Sequence, residues 1–81
     1  MRVKYSKTAD KQLEKLPTRE AKKILKKISA LEEGLVSGKK LEGEFVGFMS
    51  LRAWPYRIIY CLVGKTIVIV SIAHRQGVYR G

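Results

Sequence analysis

The sequence is poor in the residues that cross-link small proteins. With one cysteine, Cys61, and one histidine, His74, it can form neither an internal disulfide nor a four-ligand structural zinc site. Asp10 is its only aspartate, and no cluster of Asp and Glu suited to a catalytic Mg²⁺ stands out among its 7 acidic residues. The longest apolar runs, 57–63 and 66–73, fall far short of the ~20 residues of a membrane-spanning helix. Met1-Arg2-Val3-Lys4 lacks the apolar core of a signal peptide. No membrane association is expected, and the expected location is the cytoplasm.

Negative charge is the other scarcity. Seventeen Lys and Arg face 7 Asp and Glu, a net charge of +10 on 81 residues, which calls for a polyanionic partner. Nucleic acid, an anionic membrane and an acidic protein all satisfy that requirement. Proline is also rare, at two residues, and 46% of the chain is hydrophobic, so a packed core rather than disorder is expected. The length fits one domain, residues 1–81, with a core thin enough to benefit from a partner.

Residues 1–5 alternate, with Val3 and Tyr5 on one face, and read as a strand. Ser6 is placed to cap a helix over about 7–16, where Ala9, Leu13 and Leu16 recur at helical spacing. Pro17 stops that helix and starts a second, whose stripe is Ala21, Ile24, Leu25, Ile28 and Leu31 and which ends near Gly34. Residues 36–44 read as a polar loop anchored by Leu41. Residues 45–52, 56–62 and 66–73 then read as three strands in a meander. The expected class is α+β: an N-terminal strand, a two-helix hairpin and a three-stranded antiparallel meander, forming one sheet with the helices packed on one face.

Basic residues divide by type. Lys22, Lys23, Lys26 and Lys27 fall on the second helix and Lys39 and Lys40 in the loop, while four of six arginines lie in the strand half. Lysine is a flexible point charge for general phosphate attraction; arginine is a planar fork for a positioned phosphate. In Tyr56-Arg57-Ile58-Ile59-Tyr60, period 2 puts Tyr56, Ile58 and Tyr60 on one face and Arg57 with Ile59 on the other. Arg52, Arg57, His74-Arg75 and Tyr79 meet the needs of RNA cleavage by its own 2′-hydroxyl: a proton acceptor, cations for the phosphorane charge and a donor for the departing 5′-oxygen. That chemistry needs no metal or other cofactor.

The order of elements and several local strings resemble the RelE/ParE superfamily of type II toxins, its RelE branch in particular. The strings are Tyr5-Ser6-Lys7-Thr8-Ala9, Lys15-Leu16-Pro17, Leu41-Glu42-Gly43, Leu51-Arg52, Tyr56-Arg57-Ile58-Ile59-Tyr60, His74-Arg75 and Val78-Tyr79, and they span nearly the whole chain. The resemblance implies a ribosome-dependent endoribonuclease, an mRNA interferase that cleaves message in the A site and stops translation. It implies that Arg57 contacts the scissile phosphate, that Arg75 stabilises the transition state or assists the leaving oxygen, and that Tyr79 orients or deprotonates the 2′-hydroxyl. Arg52 would support the phosphate, and His74 would have a secondary acid/base role. The helix and loop lysines would bind RNA.

The implied partners are the ribosome and a short acidic antitoxin, with Leu35, Val36 and Phe48 as exposed apolar positions for it. One departure stands out: Phe48-Met49-Ser50 occupies the strand before Leu51-Arg52, where some RelE-type toxins carry a lysine pair. Two other readings fit the same scaffold: a ParE-like inhibitor of DNA gyrase without nuclease activity, and a basic module that binds nucleic acid by charge alone.

Overall fold

The structure is a computed structural model that describes residues 2–74. Strand β1 (Arg2–Tyr5) leads into helices α1 (Lys7–Lys15) and α2 (Thr18–Glu32). A short strand β2 (Lys39–Lys40) and a 3₁₀ turn (Gly43–Phe45) precede β3 (Met49–Ala53), β4 (Tyr56–Val63) and β5 (Thr66–His74). One five-stranded sheet results, in the order β1-β5-β4-β3-β2, with β1 parallel to β5 and every other pair antiparallel.

Local chemistry sets the helix ends. The Ser6 hydroxyl accepts from the Ala9 N–H at 3.0 Å and donates to the Val70 carbonyl at 2.6 Å, so one side chain caps α1 and ties it to β5. Such a cap is worth about 1 kcal/mol. Helix α2 begins after Pro17 and closes on Gly34, whose φ of +78° is open to glycine at little steric cost. There the Leu35 N–H reaches the Ala30 carbonyl and the Gly34 N–H the Leu31 carbonyl, satisfying two carbonyls of the last turn.

Ile24, Ile28 and Leu31 of α2 and Ala9 of α1 bury against Leu51, Ala53, Ile58, Tyr60, Ile67, Ile69 and Ile72. The expected α+β arrangement is thus present, and three details differ from the sequence reading. Leu25, expected on the buried stripe, is 43% exposed, because the contact with the sheet is narrower than the apolar arc of α2. Lys39 and Lys40, expected in a loop, pair with Ser50 and Met49 as the edge strand β2. The strand expected from residue 45 starts only at Met49, since Gly43 and Gly47 have φ of +67° and +95° and turn the chain before it can extend.

A bulge in β5 decides which residues face the helices. Ile59 pairs with Ser71 and Tyr60 with Ile69, which leaves Val70 without an opposite residue. Ile67 and Ile69 face the core before the bulge and Ile72 after it, and Ser71 and Ala73 turn to the opposite side. Strand β1 covers the edge of β5 only as far as Ile69. Beyond it α1 takes over, and the Gln12 side-chain oxygen accepts the Ile72 N–H at 2.6 Å.

Candidate functional site

The helix-free side of the sheet begins with the alternation read from the sequence. Tyr56, Ile58 and Tyr60 pack with the core, so Arg57 and Ile59 project to the other face. Arg57 is the direct cross-strand partner of Arg52, and Ile59 that of Ser50. Strand β2 continues the sheet on the far side of β3, with Lys39 opposite Ser50.

A groove of about 520 Å³ opens at this edge, lined by Lys27, Lys39, Lys40, Arg52 and Arg57 together with Val36, Ser37, Leu41, Ser50 and Leu51. Five cationic side chains and no acidic one line it. The position of β2 depends on a close contact: the Gly38 N–H donates to the Tyr60 hydroxyl at 2.9 Å, and a Cβ on Gly38 would stand 2.7 Å from that oxygen and 2.9 Å from the Ser50 carbonyl oxygen. Glycine therefore lets β2 lie close enough for Lys39 and Lys40 to reach the groove.

The other expected residues are distributed differently. Lys22 and Lys26 are exposed on α2 and do not line the groove. Lys23 pairs with Glu20 at 3.1 Å and donates to the Trp54 carbonyl at 3.0 Å, fastening α2 to the β3–β4 turn. His74 is the cross-strand partner of Tyr56 and meets that ring edge-on at 5.5 Å, which puts it on the helix-bearing side, away from Arg57. Arg75 and Tyr79 lie outside the described residues.

Beside the cationic groove is a second cavity of about 250 Å³, lined by Gln12, Leu41, Phe45, Phe48, Ile59, Val70, Ser71 and Ala73. Apart from Phe48, expected as an exposed apolar position, these residues were not singled out from the sequence as functional. Gln12 carries no local signal, and Ser71 and Ala73 reach this face only through the bulge at Val70. Val36, also expected to be exposed, is half-buried against the core, whereas Leu35 is 74% exposed. Among the described residues, no three His, Cys, Asp or Glu side chains gather where they could hold a metal ion, and no helix is long and apolar enough to cross a membrane.

Fold and groove together define a small cationic α+β protein with a groove lined by Arg and Lys at the edge of its sheet. The sequence matches the family described as ParE toxin of type II toxin-antitoxin system, parDE, over residues 3–79, and the chain belongs to this RelE/ParE superfamily of toxins. Among solved structures it is similar to a chain of the toxin–antitoxin complex RelBE2 from Mycobacterium tuberculosis, with 32% identity over 91% of this chain and 96% of that one and a TM-score of 0.79. The archaeal RelE–RelB complex from Pyrococcus horikoshii gives 30% identity, coverage of 95% and 97%, and a TM-score of 0.77. YafQ from Escherichia coli shares the fold at 16% identity, with coverage of 99% and 100% and a TM-score of 0.79. Comparison with curated protein sequences finds no match.

Proposed function

We propose that this toxin is a single-domain endoribonuclease, residues 1–81, that cleaves mRNA on the ribosome and so acts in the cytoplasm. The observation that carries the reading is the convergence of Arg52, Arg57, Lys27, Lys39 and Lys40 on one groove, with the two arginines fixed on adjacent strands. Arginines on a rigid sheet hold a phosphate in place, and flexible lysines around them draw the strand in.

In the proposed reaction the 2′-oxygen attacks the neighbouring phosphorus. A 2′,3′-cyclic phosphate forms as the bond to the 5′-oxygen breaks. The 2′-hydroxyl proton leaves to a base, and the 5′-oxygen takes up a proton as it departs. Arg57 neutralises the charge that grows on the non-bridging oxygens, supported by Arg52. Arg75 and Tyr79 are assigned the remaining transition-state and 2′-hydroxyl roles. His74, packed against Tyr56 on the other face, is assigned to holding the end of β5, in place of the acid/base role the resemblance implied.

The same +10 charge suits an acidic antitoxin, and Leu25, Leu35, Leu62 and Val63 give it exposed apolar surface to cover. The match to the ParE toxin family favours one second reading, the inhibition of DNA gyrase that a ParE-like resemblance implies. The two separate in a reconstituted translation reaction run beside a gyrase supercoiling assay. The ribonuclease reading expects mRNA breaks only when ribosomes are present, reduced at least 100-fold in Arg57→Ala, a loss on the order of that for one preorganised charge-stabilising group. His74→Ala should lose less than about tenfold. Intact mRNA with arrested gyrase would select the second reading.

A further inference from the structure

The apolar cavity beside the groove has no part in the chemistry above, yet it adjoins the cationic site at two points of the sheet register. Arg57 lines the groove and its cross-strand partner Ala73 lines the cavity. Ser50 lines the groove and its partner Ile59 lines the cavity. Antiparallel partners stand about 5 Å apart, so the two spaces are neighbours on one face, and Leu41 belongs to the rim of both.

The contents of the cavity narrow its occupant. Phe45 and Phe48 supply two aromatic rings to its lining, and Leu41, Ile59, Val70 and Ala73 make the rest of it apolar. Its volume of about 250 Å³ lies below the ~300–1,000 Å³ typical of sites for drug-sized ligands, a size for one flat ring system. Its polar groups are Gln12 and Ser71. The Gln12 amide has a defined orientation, because its oxygen already accepts the Ile72 N–H at 2.6 Å. The amide nitrogen is therefore the end left to donate.

We infer that this cavity is a nucleobase pocket: an RNA strand whose phosphate lies in the cationic groove inserts an adjacent unpaired base that packs on the Phe45 and Phe48 rings, where the Gln12 amide donates to an acceptor on its edge. This rests on the RNA-cleaving reading and deepens it by naming a determinant of sequence preference. Charge complementarity selects the occupant, since a small apolar, aromatic-lined cavity next to five cations fits a base attached to its phosphate. Stacking on aromatic rings tolerates any base, and the fixed donor supplies the discrimination. Uracil offers an acceptor at O4 where cytosine offers a donor at N4, so two bases of one size are told apart.

The test uses 2′-O-methyl tetranucleotides, which cannot be cleaved: U₄, C₄ and an abasic tetramer, titrated into the purified toxin by fluorescence anisotropy. U₄ should bind about tenfold more tightly than the abasic tetramer, the scale of one stacked base, and more tightly than C₄. Phe45→Ala, at an exposed ring, should remove the advantage of U₄ over the abasic tetramer and leave abasic binding unchanged. Gln12→Glu keeps an oxygen for the Ile72 N–H but loses the donor, and should reverse the order of U₄ and C₄.

Equal binding of U₄ and the abasic tetramer to the unaltered toxin would overturn the pocket while leaving the groove as a phosphate site. Failure of all three to bind at low salt would overturn the groove as a phosphate site and the pocket with it, while mRNA breaks on the ribosome decide the ribonuclease reading separately. A Phe45→Ala protein that keeps its base preference but loses antitoxin affinity would assign the cavity to the antitoxin and overturn the inference.

Discussion

Arg52 and Arg57 are direct cross-strand partners on β3 and β4, two like charges set opposite each other on one face of the sheet. Such a pairing is unfavourable by roughly 0.2–1 kcal/mol relative to a neutral pair. Two arginines placed opposite each other in a small domain fit a site shaped for an anion rather than for stability. Arg52→Thr, which keeps a strand-forming residue, should therefore raise the melting temperature by up to about 4–8 °C and lower RNA affinity. Calorimetry and anisotropy on the same preparation check both. A lower melting temperature would mean that Arg52 stabilises the fold.

The groove has a salt signature. If each of its five cations neutralises one phosphate of a single strand, log K should fall against log salt with a slope of about −3.5. Lys39→Gln should make the slope shallower by about 0.7. The pair Lys22→Gln and Lys26→Gln, away from the groove, should leave it unchanged. Equal effects of helix and groove lysines would point to diffuse charge attraction instead.

Gly38 is predicted to be intolerant of a methyl group. In Gly38→Ala the new Cβ would meet both the Tyr60 hydroxyl and the Ser50 carbonyl oxygen, so β2 must withdraw from β3. Tyr60, only 2% exposed, would then lose the contact that Gly38 makes with its hydroxyl. The expected loss is about 1–3 kcal/mol in denaturant unfolding, the range for stranding a buried polar group. RNA affinity should fall with it as Lys39 and Lys40 move.

Tyr5 gives the stability an alkaline limit. Burial, then the nearby charges of Glu32 and Asp10, push its phenol above the ordinary value near 10. The folded state thus holds this proton to higher pH than the unfolded chain does. The resulting stabilisation is complete below the unfolded value and is lost as pH rises through the folded one. Tyr5→Phe should flatten the decline in stability above pH 10, measured by urea unfolding at stepped pH. An unchanged decline would assign it to other groups.

Much of the fold was legible from local chemistry. Ser6, Pro17 and Gly34 act through their own backbone and the next few residues, so the helix boundaries could be read without knowing the fold. Alternation in Tyr56 to Tyr60 likewise placed Arg57 on the face away from the core, because a strand's side chains alternate whatever it pairs with. Charge excess and its division between lysine and arginine were also plain, being properties of composition and order.

Tertiary structure decided which of those charges meet. Lys39 and Lys40 became groove residues only when Gly38 allowed β2 to close on β3, whereas Lys23 was taken up by Glu20 and the Trp54 carbonyl. The unopposed Val70 turned Ser71 and Ala73 toward the open face, and the short reach of β1 left the Ile72 N–H for Gln12. Register and edge coverage depend on contacts between segments some 60 residues apart, such as Gln12 and Ile72. No local spacing encodes them, so the caps and faces belong to the sequence and the groove and pocket belong to the assembled sheet.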